Sequence, residues 1–193
     1  MADDLCTGDL ILVHETPSHW LLALLDGLIC WFTGSRYSHA ALAVRDPPFA
    51  PAGLYVWESG WEGQPDPQDG IIKLGVQLTR WSDFVQNTEG DLYVRRRGPG
   101  AGITSAQLAK LHIQVYRKPY DMNPVDWILA TEHLDLCPQK TSRFWCSAFV
   151  AYLLVELGTL PGAVDWSVVW PQDLSSTSTE LHFLHQYEPD ALL

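Results

Sequence analysis

Basic residues are scarce in this chain of 193 residues: 12 Lys and Arg stand against 23 Asp and Glu, a formal net charge of −11. That balance excludes the basic face with which proteins grip phosphate backbones, so no nucleic acid is expected as a partner. Cysteine is sparse as well. Cys6, Cys30, Cys137 and Cys146 lie far apart with no Cys-x-x-Cys pair, which excludes a disulfide-dense scaffold and fits a reducing compartment. Long apolar runs are missing: the longest, Trp20 to Phe32, is interrupted by Asp26 and is too short to span a bilayer. The start, Met1-Ala2-Asp3-Asp4, is acidic and lacks the basic and apolar regions of a secretory signal. A cytoplasmic location is therefore expected, with peripheral membrane contact left open. There is no P-loop, dinucleotide fingerprint or Gly-x-Ser-x-Gly elbow, and no cofactor is expected. With no internal repeat or low-complexity linker, one domain over 1–193 is the simplest organisation.

What is present reads as strands first and helices later. Apolar runs predict strands at Gly8–His14, Ser35–Arg45, Leu54–Ser59, Ile71–Val76 and Asp91–Arg97. The small alanines of the second call for another element close by. Between these strands, Pro17 and Ser18 open a helix from Trp20 to Phe32 closed by Gly34. Asp46 to Pro51 is a loop, Gly60 to Asp69 is irregular, and Leu78–Val85 suits a short helix. Further helices run from Thr104 or Ser105 through Tyr116, from Pro124 to Leu134, and from Ser142 to Gly158. The class is α+β. Arg95-Arg96-Arg97 reads as a solvated sheet edge. His182 and His185, three apart on a helical stretch, have spacing that suits a metal. With no Cys or acidic ligand clearly at hand, they read as surface residues; no metal site is expected.

The Ser142–Gly158 helix carries the chemistry. Ser142 can cap its start and Gly158 suits the left-handed position past its end. Cys146 then falls in the first turn, on the side shared with Phe149, Val150, Leu153 and Leu157. The helix dipole and free N–H groups there favour a thiolate. A buried structural cysteine has the same helical setting.

A cysteine nucleophile needs a base, and the base needs a group to orient it. His39 begins a strand just after a turn, where sites are often assembled. If residues 39–45 and 52–58 form a hairpin over Pro47-Pro48, the near-symmetric register pairs Val44 with Gly53 and sets His39 opposite Glu58. A carboxylate there fixes the imidazole tautomer and leaves the second nitrogen for the thiol. A slip of one residue would send Glu58 to the other face.

Five short matches follow in one order: Gly8-Asp9-Leu10-Ile11-Leu12, Tyr37-Ser38-His39-Ala40-Ala41, Trp57-Glu58-Ser59, Lys118-Pro119-Tyr120-Asp121 and Trp145-Cys146-Ser147-Ala148-Phe149-Val150. On these residues the chain resembles the permuted papain-like cysteine hydrolases of the NlpC type, in particular their YiiX-like branch. The resemblance implies a small antiparallel sheet or barrel packed on the cysteine helix. It also implies Cys146 as nucleophile, His39 as base and Glu58 as the residue that orients the imidazole. Tyr120, Trp145 and Ser38 would line the substrate cleft. The branch often has tyrosine before the cysteine and an acidic residue two after it. This chain has Trp145 and Ala148 there, departures that bear on substrate preference. The implied activity is hydrolysis of an amide, ester or thioester in a small-molecule, peptide-like or acyl-lipid substrate. A membrane-surface acyltransferase and a silent binding protein of the same fold are the alternatives.

Overall fold

Alternating side chains give the central sheet two apolar faces, each covered by a different helix. The computed structural model describes residues 4–15, 36–100, 102–121 and 141–193. Its strands are β1 (Leu10–Glu15), β2 (His39–Arg45), β3 (Leu54–Gly60), β4 (Gly75–Arg80), β5 (Gly90–Arg95) and β6 (Ala191–Leu192). They form one open antiparallel sheet in the order β4-β3-β2-β1-β5-β6. Helix α1 (Trp81–Asn87) follows β4, α2 (Ser105–Val115) follows β5, and α3 (Cys146–Glu156) comes late in the chain. The α+β class stands, with a sheet rather than a closed barrel.

One face of the sheet presents Leu10, Leu12, Leu42, Trp57 and Leu78 to Phe149, Val150 and Leu153 of α3. The other presents Ile11, Val13, Ala41, Ala43 and Val56 to Phe84 of α1. Each fully buried side chain of this size stabilises the fold by about 1.5–3 kcal/mol. α3 packs against β2 and β3, where the small Ala40 admits a close approach. The helix is apolar all round, and every residue from Cys146 to Leu154 is buried. Its end is a Schellman turn. Gly158, at φ 68°, donates to the Val155 carbonyl at 3.0 Å, and Thr159 to that of Leu154 at 2.8 Å.

Several elements differ from the expectation. α3 starts at Cys146, not Ser142, and its N-cap is Trp145 in an extended conformation. The residues before it belong to another pairing. Phe144 donates to the Pro119 carbonyl at 3.1 Å, and Asp121 donates to the Phe144 carbonyl at 3.0 Å, so this stretch cannot coil. β4 covers 75–80 rather than 71–76, because Val76 and Leu78 face α3 while Gln77 and Thr79 face the other way. The short helix accordingly begins three residues later, at Trp81. The helix after Thr104 forms as expected, with a Thr104–Gln107 capping box.

The Arg95–Arg97 run is not a solvated edge. β6 pairs outside β5, and the arginines bind chain carbonyls. Arg95 donates to Leu174 at 2.9 Å and to Glu188 at 3.2 Å, and Arg96 to Asp4 at 2.7 Å. His182 and His185 lie outside any helix. The expected helices at 20–32 and 124–134, with Cys30 and Cys137, lie outside the described residues.

Candidate functional site

β2 and β3 position the imidazole and the carboxylate. The loop between them is closed by Asp46 and Gly53. Asp46 donates to the Gly53 carbonyl at 2.8 Å, and the Gly53 N–H donates to the Asp46 carboxylate at 2.8 Å. That closure sets Val44 opposite Tyr55 and Leu42 opposite Trp57, two residues away from the symmetric register expected. A shift of two preserves which face a side chain occupies. Continued to the strand ends, the register puts Gly60 opposite His39, with Glu58 diagonal to it on the same face. Long side chains can still meet across such a diagonal.

They do meet. His39 Nε2 and Glu58 Oε2 are 2.8 Å apart, with the carboxylate fully buried and the imidazole 17% exposed. The other carboxylate oxygen accepts from the Thr79 hydroxyl at 2.6 Å. Glycine at position 60 makes room for this contact, since a β-carbon there would lie 3.3 Å from His39 Cε1 and 3.5 Å from Glu58 Oε2.

The thiol arrives from the other side of the sheet. Cys146 is buried, with Sγ 4.0 Å from the carbonyl oxygen of Ser38, the residue before His39. With Nε2 engaged by Glu58, Nδ1 is the ring nitrogen left for the thiol. Burial by itself lowers the pKa of His39. The neighbouring Cys146 thiol and the Glu58 carboxylate favour the charged ring, outweigh burial and raise the pKa well above the ordinary 6.5. Because Cys146 is the first helical residue, its N–H and those of Ser147 and Ala148 have no acceptor within α3.

The three residues expected to line a cleft hold different places. Trp145 is 7% exposed and stacks on Trp170 with ring centroids 5.9 Å apart. Tyr120 is half-buried and bridges to Phe144, two residues before the cysteine. Ser38 offers the thiol its carbonyl, while its hydroxyl donates to Val13 of β1 at 3.3 Å.

Sequence reasoning missed Thr79, which holds Glu58, and Ser147, whose hydroxyl donates to the Val169 carbonyl at 2.7 Å. It also gave no role to Ser59, which is fully buried and donates to the Phe144 carbonyl at 2.8 Å. Two of these had a signal in the pattern: a polar residue beside Glu58, and a serine inside an apolar helix.

These observations define an α+β protein in which a thiol, an imidazole and a carboxylate meet at the end of an open antiparallel sheet. No protein-family model matches the chain, and no curated protein matches it. Among solved structures it is similar to the crystal structure of the metalloprotein YiiX from Escherichia coli O157:H7. The identity is 22% and the TM-score 0.44, over 78% of this chain and 65% of that one. The chain therefore spans about two thirds of that protein's length. Among the described residues no group of three His, Cys, Asp or Glu is placed to hold a metal ion. No described helix is long and apolar enough to cross a membrane.

Proposed function

We propose that this chain is a cysteine-dependent hydrolase of an amide, ester or thioester bond, with Cys146 as nucleophile, His39 as base and Glu58 as the orienting carboxylate. The observation that carries the reading is the imidazole bound to a buried carboxylate at 2.8 Å, with the thiol at the start of α3 set 4.0 Å from the carbonyl oxygen of Ser38, the residue before that imidazole. Glu58 fixes the ring and stabilises the imidazolium. The thiolate attacks the substrate carbonyl, and the N–H groups at the start of α3 stabilise the oxyanion. The imidazolium protonates the leaving group, and water then hydrolyses the thioester. Base, carboxylate and nucleophile follow in the order of the permuted papain-like enzymes of the NlpC type.

An acyl-thiol-directed probe tests this, read by intact-mass spectrometry. The native protein takes one label on Cys146, and Cys146→Ala stays folded and takes none. Equal labelling of the two rejects Cys146 as the reactive group.

A second reading concerns the substrate. Trp61, Ile71, Ile72 and Leu74 are 53%, 44%, 50% and 40% exposed on the segment joining β3 to β4, which leaves the site at Gly60. Apolar side chains there favour an acyl-lipid substrate, or acyl transfer at a membrane surface. Flotation with liposomes separates this from hydrolysis of peptide-like amides: the reading requires the protein to rise with the vesicles, and protein left at the bottom counts against it.

A further inference from the structure

β3 holds both halves of the site, one on each face. Successive residues of a strand point to opposite sides. Glu58 faces the side of the sheet that carries His39 and Thr79. Its neighbour Ser59 faces the α3 side, is fully buried, and donates its hydroxyl to the Phe144 carbonyl at 2.8 Å. Phe144 is two residues before Cys146, and Trp145 between them is the extended N-cap of α3. The path from carboxylate to thiol thus runs through one backbone step, one side-chain hydrogen bond and two residues of extended chain.

We infer that Ser59 is a positioning residue for Cys146: its hydroxyl fixes the start of α3 against β3 and so sets the thiol within reach of an imidazole whose place is already fixed by Glu58. This rests on the proposed Cys146–His39–Glu58 chemistry. The bond is not all that holds this segment. Phe144 is also held by the Asp121 N–H at 3.0 Å and by the Pro119 carbonyl at 3.1 Å, and its ring packs on those of Phe149, Tyr152 and Trp166. Those contacts, with the Ser147 hydroxyl and the Trp145 indole N–H on the Val169 carbonyl, keep the segment in the core, and the Ser59 hydroxyl ties it directly to β3. A displacement of ~1 Å at such a centre is enough to cost on the order of 100-fold in rate.

The test is the rate of Cys146 alkylation by iodoacetamide at pH 6 and pH 9.5, read by peptide mapping so that Cys146 alone is scored. At low pH the reaction depends on the imidazole beside the thiol; at high pH it does not. Native protein keeps substantial reactivity at pH 6. Ser59→Ala loses about 10- to 100-fold at pH 6 and little at pH 9.5, and Ser59→Thr, which keeps the hydroxyl, restores the low-pH rate. Ser59→Cys, near-isosteric and a weaker donor, is scored beside Ala and decides the matter if Ala does not fold. A folded Ala or Cys variant with the native ratio of the two rates overturns the inference. A native protein that reacts only at high pH overturns the underlying chemistry instead, so the two failures are distinguishable.

Discussion

Gly60→Ala separates stability from chemistry at this site. Position 60 is ordinary extended backbone, with no positive φ to penalise an alanine. At this last residue of β3, replacing glycine removes an entropic cost of at most about 0.5–1 kcal/mol, the value for a strand interior. The added methyl carbon, however, would lie 3.3 Å from His39 Cε1, closer than the ~3.5–4.0 Å at which carbon atoms rest against each other. The Glu58 oxygen, at 3.5 Å, is in ordinary contact, so the ring is the part that gives. A few tenths of an ångström of retreat stretches a 2.8 Å bond to a charged acceptor. Such a bond is worth about 1.5–3 kcal/mol intact. Losing a third to a half of it costs ~1 kcal/mol, or about fivefold in rate. The variant is therefore expected to melt at or slightly below the native temperature while its Cys146 labels about fivefold more slowly with the acyl probe near neutral pH. Thermal melts and the rate of labelling by mass spectrometry measure the two together. A native labelling rate, or a loss of rate that merely tracks a fall in melting temperature, would refute the idea that Gly60 is small for the sake of the His39–Glu58 contact.

Two further outcomes follow from other parts of the frame. Gly75→Ala meets the Lys118 carbonyl at 2.3 Å and Pro119 at 2.8 Å from a backbone at φ 142°, so it is expected to destabilise by about 1–3 kcal/mol. Urea unfolding checks this, and a variant as stable as native protein would contradict the Gly75–Pro119 bridge. His39 gives stability a pH dependence of definite sign. Its pKa in the folded protein is raised above 6.5, so its contribution is complete below 6.5 and is lost as pH rises through the folded value. The stability gap between native protein and His39→Asn should shrink between pH 6 and pH 9 in urea titrations; a gap that is constant or grows would be inconsistent with the raised value.

The parts of this site that were legible in the sequence are those that depend on local pattern. Cys146 stood out because an apolar run closed by Gly158 predicted a helix with the thiol near its start. His39 and Glu58 shared a face because strand alternation survives any even error in register. The register itself was not legible, since it is set by the Asp46–Gly53 closure rather than by the symmetry of the loop. Ser142 resembles a helix cap, yet the true start lies at Cys146, because Phe144 pairs with Pro119 and Asp121, more than twenty residues earlier in the chain. Thr79 acts through a partner on a neighbouring strand, and nothing in its own neighbourhood announces that; Ser59 is marked only as a polar residue beside Glu58, which does not give its partner. The arginine run misled for the same reason: only the fold brings the carbonyls of Leu174 and Glu188 to Arg95.

The central claim is that thiol, imidazole and carboxylate form one coupled unit, and the NMR titration of the His39 ring tests it most directly. In native protein the ring should titrate well above 6.5, and Cys146→Ala and Glu58→Gln should each bring its midpoint down, since each removes a partner that stabilises the charged form. A His39 that titrates at its ordinary value, or one that ignores the loss of Cys146, would contradict the account.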